Sequence, residues 1–323
     1  MQTPFSRAPY HTSWDGRQAR NSKAENLIFT CGYGYPPTYL RTFLRSISRN
    51  MKAVDVVLFY HDTSEKSVSR LREYLDTVQV VRPTDYRVRQ AINILPRGRG
   101  LISNLINDLA QRLEDGEPYH PLLTATYHVS LARYFWVVNY CCRVDISQYK
   151  GLMLCDSRDV VIQNDPFDKA DELHFVTGAE EVRIGQCWIN GPWISYCYGE
   201  NELRALSDEW ILCSGVSFGR REMVLHYANS MAQELKRVGK RLVGRAGLDQ
   251  AIHNYLLRAD ALNFAVHATP SRDGIIATLS DHYDRKRILI DGADDISLEN
   301  VVPSIVHQYD RIPELCQHYA RIY

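Results

Sequence analysis

The sequence predicts an α/β fold, a three-layer α/β/α sandwich with a mostly parallel central sheet, for two reasons. Short apolar runs alternate with helical patterns from about residue 26 onward, as βαβ units require. The 323 residues are 45% hydrophobic and 24% charged, so the chain can bury a large core. Ligands of such sheets bind beyond the carboxyl ends of the strands, so a site is expected in the loops that follow them.

The individual elements follow from apolar spacing and from the residues that interrupt it. Residues 27–31 predict a buried strand, the glycines and prolines of 32–37 end it, and apolar residues at helical spacing follow at 39–47. A second unit has a strand at 53–60, a capping loop at 61–64 and a helix with apolar residues at 68, 71 and 75. The same criteria predict, in chain order, a strand at 78–81, helices at 101–113 and 126–142, strands at 152–155, 173–177 and 210–218, and helices beginning at Arg221 and near Gly247.

An aromatic segment at 185–200 predicts a loop. Trp188, Trp193, Tyr196 and Tyr198 surround an Asn-Gly-Pro sequence there. Such side chains either stack on the faces of sugars or fill the core, and the sequence leaves both interpretations open.

Charge, cysteines and apolar stretches bear on partners and location. Lysine plus arginine and aspartate plus glutamate both equal 38, so no overall field favours nucleic acid. The eight cysteines form no Cys-x-x-Cys pair, which argues against zinc. Several lie within apolar runs, which favours a reducing compartment over a disulfide framework. The longest apolar stretch, 134–142, is far shorter than the roughly 20 residues that cross a bilayer. We predict a cytoplasmic protein, with peripheral membrane contact through the basic cluster at 236–245 as an option.

The strongest chemical signal is the segment 152–162. An apolar run ends at Asp156, Ser157, Arg158 and Asp159 and then resumes. Carboxylates at the carboxyl end of a strand suit Mg²⁺ or Mn²⁺, and such a cation can hold a diphosphate. The alternative is an ordinary strand end with a surface Asp-Arg pair.

An ordered set of motifs resembles a known family. It comprises Ala132-Arg133-Tyr134, the Asp-rich strand with Asp165-Pro166 after it, Cys213-Ser214-Gly215-Val216, Leu248-Asp249-Gln250 and a late histidine. The set, spread over residues 26–310, resembles the GT-A fold (Rossmann-like) glycosyltransferases that use nucleotide sugars, in particular the glycogenin and lipooligosaccharide galactosyltransferase group.

The resemblance implies an enzyme that moves a hexose or pentose from a nucleotide-diphosphate sugar, UDP-linked by default, to a hydroxyl of a glycan or glycolipid. It favours a retaining reaction and a Mn²⁺ or Mg²⁺ cofactor. It also implies one domain at 26–323, with a nucleotide-binding half at 26–160 and an acceptor-binding half at 161–323. Residues 1–25 lack periodicity and predict a tail or arm. The residues that the resemblance assigns to the nucleotide sugar are Thr30, Cys31, Gly32, Tyr33, Asp62, Arg133, Asp156, Ser157, Arg158, Ser214 and Gly215.

The metal ligands implied are Asp156, Asp159 and His307, and two departures bear on them. The family has Asp-x-Asp where this chain has Asp-x-x-Asp, so Asp159 is favoured as the direct ligand and Asp156 for the ribose or a metal-bound water, with the reverse left open. Arg158 is an alternative phosphate contact. His307 is followed by Gln308-Tyr309 and lacks the family's glycine, so it is either a third ligand or structural.

Asp249 and Gln250, at a predicted helix start, are assigned to the donor sugar and the acceptor. The alternative for Asp249 is a carboxylate that binds helix amides. Glu180 and Glu181 are the other candidates for a carboxylate near the anomeric carbon. Two rival functions remain, a sugar nucleotidylyltransferase and a non-catalytic carbohydrate-binding protein. The nucleotidylyltransferase would have a glycine-rich, basic loop after its first strand, where this chain has tyrosines and prolines.

Overall fold

The computed structural model describes residues 23–94, 99–110, 118–169, 175–259, 262–290 and 294–323. The predicted tail or arm lies outside the described residues as far as residue 22. The strands are β1 (Asn26–Cys31), β2 (Val54–Phe59), β3 (Val78–Val81), β4 (Gly151–Cys155), β5 (Val160–Ile162), β6 (Phe175–Arg183), β7 (Trp210–Arg220), β8 (His267–Pro270), β9 (Ile276–Thr278), β10 (Ile288–Leu289), β11 (Ser297–Leu298) and β12 (Ile305–His307). The helices are α1 (Arg41–Asn50), α2 (Glu65–Arg72), α3 (Tyr86–Ile94), α4 (Arg99–Ala110), α5 (Pro121–Thr126), α6 (Val129–Arg143), α7 (Asn190–Tyr198), α8 (Glu200–Leu206), α9 (Arg221–Val238), α10 (Asp249–Arg258) and α11 (Pro313–Ile322).

A seven-stranded sheet forms the centre of the molecule, in the order β3-β2-β1-β4-β7-β6-β8. Strands β3, β2, β1 and β4 pair in parallel, β7 is antiparallel to β4 and β6, and β8 is parallel to β6. The predicted mostly parallel sheet is therefore confirmed. The carboxyl ends of β1 and β4 lie side by side, with Thr30 opposite Cys155.

Both faces of this sheet are covered, which confirms the three-layer prediction. Along β1, Leu27 and Phe29 belong to one buried cluster, together with apolar residues of α6, α9 and α10. Ile28 lies on the other face with Phe43 and Ile47 of α1. Alternation of side chains along a strand explains the division, since successive residues point to opposite faces.

A smaller three-stranded sheet, β5-β12-β9, brings strand β12 back to the Asp-rich segment that precedes β5. β12 pairs antiparallel with β5, so that His307 lies opposite Val160, and parallel with β9. This pairing places His307 next to the Asp-rich segment, although the two are far apart in the sequence.

Two elements differ from the prediction. The segment 185–200 contains helix α7, where a loop was predicted; Pro192 is tolerated because it lies in the first turn, and Gly199, with a φ of 94°, ends the helix. Strand β6 runs on to Arg183, so Glu180 and Glu181 lie within the strand and do not follow it. Among the residues described, no helix is both long and apolar enough to cross a membrane.

Candidate active site

A cleft lies at the carboxyl ends of β1 and β4. It comprises a smaller cavity of about 170 Å³ and a larger one of about 270 Å³, and both are lined by Ser130 and Asp156. The position is the one expected for ligands of an α/β sheet.

Asp156, Asp159 and His307 form a compact cluster in this cleft. Asp156 follows β4, Asp159 precedes β5 and His307 ends β12. One ligand atom from each lies within 4.8 Å of the others. His307 Nε2 is 3.8 Å from Asp156 Oδ2 and 3.8 Å from Asp159 Oδ2. The structure thus brings together all three residues assigned to the metal.

His307 carries two further signs of a ligand-binding role. Its Nε2 is buried and has no hydrogen-bond partner, while its Nδ1 lies 3.6 Å from Cys213 Sγ. Gly215 of β7 leaves the space that the ring needs, because a Cβ there would lie 3.0 Å from Asp156 Oδ2 and nearer still to His307 Cε1 and Nε2. Buried polar atoms without a partner are costly, so an unsatisfied nitrogen in a cleft points to a ligand.

Arg133 of α6 connects the cluster to the rest of the site. Its guanidinium donates to Asp156 Oδ1, to Asp249 Oδ2 at 3.1 Å and to the Ser214 carbonyl at 3.0 Å. It also donates to the Tyr134 hydroxyl at 3.2 Å. Only 12% of the Arg133 side chain is exposed, so its position is fixed by these partners.

Electrostatics in the cluster follow from burial and close charges. Burial opposes the charged form of Asp156, but Arg133 and His307 outweigh it and lower the pKa of this carboxyl to about 2. Burial raises the pKa of Asp159, and the negative charge of Asp156 adds to the rise while His307 opposes it. Burial also opposes the imidazolium of His307, yet Cys213 and the two carboxylates raise its pKa well above the usual range.

Asp249 and Gln250 begin α10, as predicted, and both line the larger cavity. Asp249 Oδ2 accepts from Ser214 Oγ at 3.2 Å as well as from Arg133. Gln250 Oε1 accepts from the Ser214 amide at 2.8 Å, and its Nε2 donates to Glu180 Oε1 at 3.2 Å. Burial raises the pKa of Asp249 despite the attraction of Arg133. These contacts hold a row of polar groups along one wall of the cavity.

Glu180 and Glu181 are separated by the alternation of β6. Glu180 lines the larger cavity, and burial raises its pKa. Glu181 points away from Glu180 and pairs with Arg287 at 2.5 Å. The structure therefore does not bring Glu181, a candidate above for the catalytic carboxylate near the anomeric carbon, to the cavity, because adjacent residues of a strand face opposite sides.

The loop after β1 reaches the smaller cavity in part. Cys31, Tyr33, Ser157 and Arg158 line this cavity, and Ser157 Oγ donates to the Cys31 carbonyl at 2.8 Å. Arg158 also pairs with Asp310 at 2.7 Å.

The other three residues assigned to the nucleotide have local contacts of their own. Thr30 is buried and its hydroxyl donates to the Cys155 carbonyl at 2.9 Å. A Cβ on Gly32 would lie 2.7 Å from Leu40 Cδ1, so this glycine packs against the apolar layer. Asp62 accepts from the Ser64 amide at 2.9 Å and from Ser67 Oγ at 2.5 Å, and so stabilises the start of α2.

Several lining residues were missed from the sequence. Ser130 precedes Arg133 by three positions in α6 and borders both cavities, and i,i+3 spacing on that helix is a signal that could have found it. His128 lines the smaller cavity. Asn190 and Gln308 line the larger cavity, and nothing in their local sequence marks them.

The fold and the cleft define an α/β protein. Its cleft contains two carboxylates and an imidazole grouped like the ligands of a metal ion, beside a buried arginine. No protein-family model matches the sequence, and no curated protein matches it. Solved structures that are similar to the chain include glycosyltransferases. They include an active-site mutant of LgtC (TM-score 0.46, 10% identity, 90% of this chain and 95% of that chain). The galactosyltransferase LgtC in complex with donor and acceptor sugar analogs has a TM-score of 0.46 and 11% identity over 91% of this chain and 95% of that chain.

The glycosyltransferase GlyE of Streptococcus pneumoniae TIGR4 has a TM-score of 0.45 and 14% identity over 92% of this chain and 60% of that chain. These values are low in both sequence and superposition.

Proposed function

We propose that this chain is a glycosyltransferase that moves a sugar from a nucleoside-diphosphate sugar, UDP-linked, to a hydroxyl of a glycan or glycolipid. The observation that carries the proposal is the cluster of Asp156, Asp159 and His307, which shares one cleft with Arg133 and Asp249. A metal ion held by these acidic ligands, together with the fixed guanidinium of Arg133, suits the diphosphate of such a substrate, and carboxylates such as Asp249 suit its hydroxyl groups.

The residues of the cluster fit a divalent cation. Two carboxylates and one imidazole are a donor set that Mn²⁺ or Mg²⁺ accepts, with the imidazole favouring Mn²⁺. The unpartnered His307 Nε2 and the space left by Gly215 support this assignment. Asp156, Asp159 and His307 would hold the ion, and an ion bound there supplies charge that stabilises a diphosphate leaving group.

The smaller cavity is proposed to take the nucleoside diphosphate. Tyr33 offers an aromatic face, and Arg158 offers a guanidinium for phosphate. Arg133 lies between the cluster and Asp249. In the proposed reaction, negative charge develops on the diphosphate leaving group near this guanidinium as the sugar-phosphate bond breaks. A preorganised guanidinium stabilises such charge more in the transition state than in the ground state.

The larger cavity is proposed to take the sugar and the acceptor hydroxyl. Asp249 Oδ2 already accepts two hydrogen bonds, from Arg133 and Ser214, which supports an orienting, electrostatic role. Gln250 and Glu180 offer further hydrogen bonds to hydroxyls. We propose a retaining reaction, since retention does not require a side chain that deprotonates the acceptor.

Thermal unfolding with nucleoside diphosphates tests the donor side. We expect UDP to raise the melting temperature in the presence of Mn²⁺ and much less without it, because a ligand that binds only the folded state stabilises it. Turnover of UDP-sugars with and without Mn²⁺ then identifies the donor. If every nucleoside diphosphate leaves the melting temperature unchanged with Mn²⁺ present, the proposal fails.

Asp159→Asn tests the cluster directly. The variant keeps the size of the side chain and removes its charge, so we expect Mn²⁺-dependent UDP binding to fall at least about tenfold. Asp168→Asn is the matched control, since Asp168 is an exposed carboxylate that does not line either cavity. Equal loss in both variants, or none in Asp159→Asn, contradicts the assignment of the cluster.

A further inference from the structure

The larger cavity has an aromatic wall that the proposed transfer chemistry does not use. Trp188 and Trp193 line it, the first just before α7 and the second within that helix. The Trp188 residue is 77% exposed, although large aromatic residues are normally mostly buried. An exposed indole on the wall of a cavity is a surface on which a ligand can pack.

Trp193 packs closely against a glycine of the facing segment, which leaves room for the indole because it has no Cβ. A Cβ on Gly247 would lie 2.7 Å from Trp193 Cη2, and the φ of Gly247 is 79°, a conformation that favours glycine. Gly247 immediately precedes Leu248 and Asp249, so the aromatic wall packs directly beside the start of α10. The wall and the polar row of Asp249 and Gln250 therefore belong to one cavity.

Besides His307 Nε2 and Ser280 Oγ, the lining of the same cavity includes two amide oxygens that have no hydrogen-bond partner. Asn190 Oδ1 is buried, in a residue that is 6% exposed, and accepts no hydrogen bond. Gln308 Oε1 is also buried and unpartnered. Both residues line the cavity. Because buried polar atoms in folded proteins are almost always paired, these two oxygens call for donors from a ligand.

Charge narrows the chemistry of that ligand. Carboxylates of Asp156, Glu180, Asp249 and Asp281 line the cavity. Arg311 pairs with Asp281 at 3.4 Å, and Arg133 pairs with Asp156 and Asp249, so two guanidiniums face four carboxylates. A carboxylated or phosphorylated ligand would meet a surplus of like charge. The ligand that fits is neutral, offers hydroxyl donors and has an apolar face.

We propose that this wall is the binding subsite for the acceptor, a neutral pyranose that packs on Trp188 and donates hydroxyls to Asn190 Oδ1 and Gln308 Oε1. The proposal rests on the proposed function and specifies its acceptor. A pyranose satisfies both features, since one ring face presents C–H groups to the indole while the ring edge carries hydroxyl donors.

Direct saccharide binding tests the subsite. The full chain, with and without UDP and Mn²⁺, is applied to an array of neutral and carboxylated oligosaccharides, and the strongest neutral binder is titrated by calorimetry. We expect Trp188→Ala to weaken this saccharide at least about tenfold, equivalent to about 1.4 kcal/mol. Trp188→Phe, which keeps an aromatic face, is expected to retain most of the affinity. Because Trp188 is so exposed, neither change should affect folding, and a melting curve checks this.

Trp210→Ala is the matched control. Trp210 is 44% exposed, stacks with Arg183 and does not line the cavity, so its truncation should leave saccharide affinity unchanged. Equal affinity of wild type and Trp188→Ala would overturn the subsite, as would preference for carboxylated saccharides or no binding to the array. The parallel measurement of UDP with Mn²⁺ separates the two proposals: UDP binding without saccharide binding overturns the subsite alone, and loss of UDP binding overturns the proposed donor.

Discussion

Gly215→Ala should damage the cation cluster without touching a ligand residue. A Cβ at this position would lie 3.0 Å from Asp156 Oδ2 and nearer still to two atoms of the His307 ring. His307 is 1% exposed and fixed in β12 between β5 and β9, so the ring has little room to withdraw. At least one of the two side chains must leave its present position.

Two effects of Gly215→Ala can be given a magnitude, the loss of folding free energy from overpacking and the loss of Mn²⁺ affinity from a displaced ligand. Overpacking of a tight site costs about 1–3 kcal/mol of folding free energy. Displacing one ligand of three should weaken Mn²⁺ at least about tenfold, by analogy with the 10–100-fold losses from disturbing a ligand's support. At a Mn²⁺ concentration 100 times the wild-type dissociation constant, stabilisation would fall from about 2.7 to about 1.4 kcal/mol.

Chemical unfolding with and without Mn²⁺ measures both effects. Gly151→Ala is the matched control, since its Cβ would lie 2.5 Å from Asn26 Oδ1 and 2.7 Å from Phe167 Cε1, at the opposite end of β4 from Asp156. We expect both variants to lose stability, and only Gly215→Ala to lose stabilisation by Mn²⁺. If Mn²⁺ stabilises Gly215→Ala as much as wild type, the assignment of His307 and Asp156 as ligands is wrong.

Three further predictions concern separate parts of the molecule. Asp249→Asn should lower kcat for sugar transfer about 100-fold while UDP affinity changes little, and a parallel loss of UDP affinity would contradict its placement beside the sugar. Hydrogen bonds from Ser67 Oγ and from the backbone amide of Ser64 lower the pKa of Asp62 to about 2, below its value in the unfolded chain. The stabilisation that Asp62 contributes is therefore present above about pH 4 and is lost as the pH falls toward 2. Asp62→Ala should therefore cost about 0.5–1 kcal/mol in urea unfolding at pH 7 and progressively less as the pH falls from about 4 toward 2; a pH-independent cost would refute this. Tyr227→Phe should cost about 1–3 kcal/mol of unfolding free energy, because the Tyr227 hydroxyl shares a 2.6 Å hydrogen bond with buried His253, and an unchanged value would mean that the bond contributes nothing.

The parts of the fold that the sequence predicts well are those set by local periodicity. β1, β2 and β3 were predicted within about one residue of their bounds, since each is a short apolar run between turn residues. The start of α9 at Arg221 and of α10 at Asp249 also match. The Asp-rich segment was recognisable because charge interrupts an apolar run.

The parts that were missed depend on contacts between distant segments. Helix α7 has apolar residues around most of its circumference, so it lacks the one-sided stripe that identifies a helix, and its Asn-Gly-Pro start resembles a turn. Whether Glu180 or Glu181 faces the cavity depends on the register of β6 against β7, which includes shifts near Thr177 and Ala179. Local sequence does not fix that register.

The balance of charge in the cleft explains why its carboxylates favour a divalent cation and why the cleft, once that cation is bound, favours a diphosphate. Asp156 and Asp249 share the guanidinium of Arg133, and Asp159 lies 3.8 Å from His307 Nε2, so the three carboxylates keep two negative charges when His307 is a neutral ligand. Burial raises the pKa of Asp159 and Asp249, as expected for carboxylates that lack sufficient positive charge. A divalent cation supplies that charge, and once it is bound, the cleft becomes attractive to a diphosphate. Nucleotide affinity should therefore depend on the cation, while saccharide affinity at the aromatic wall should not.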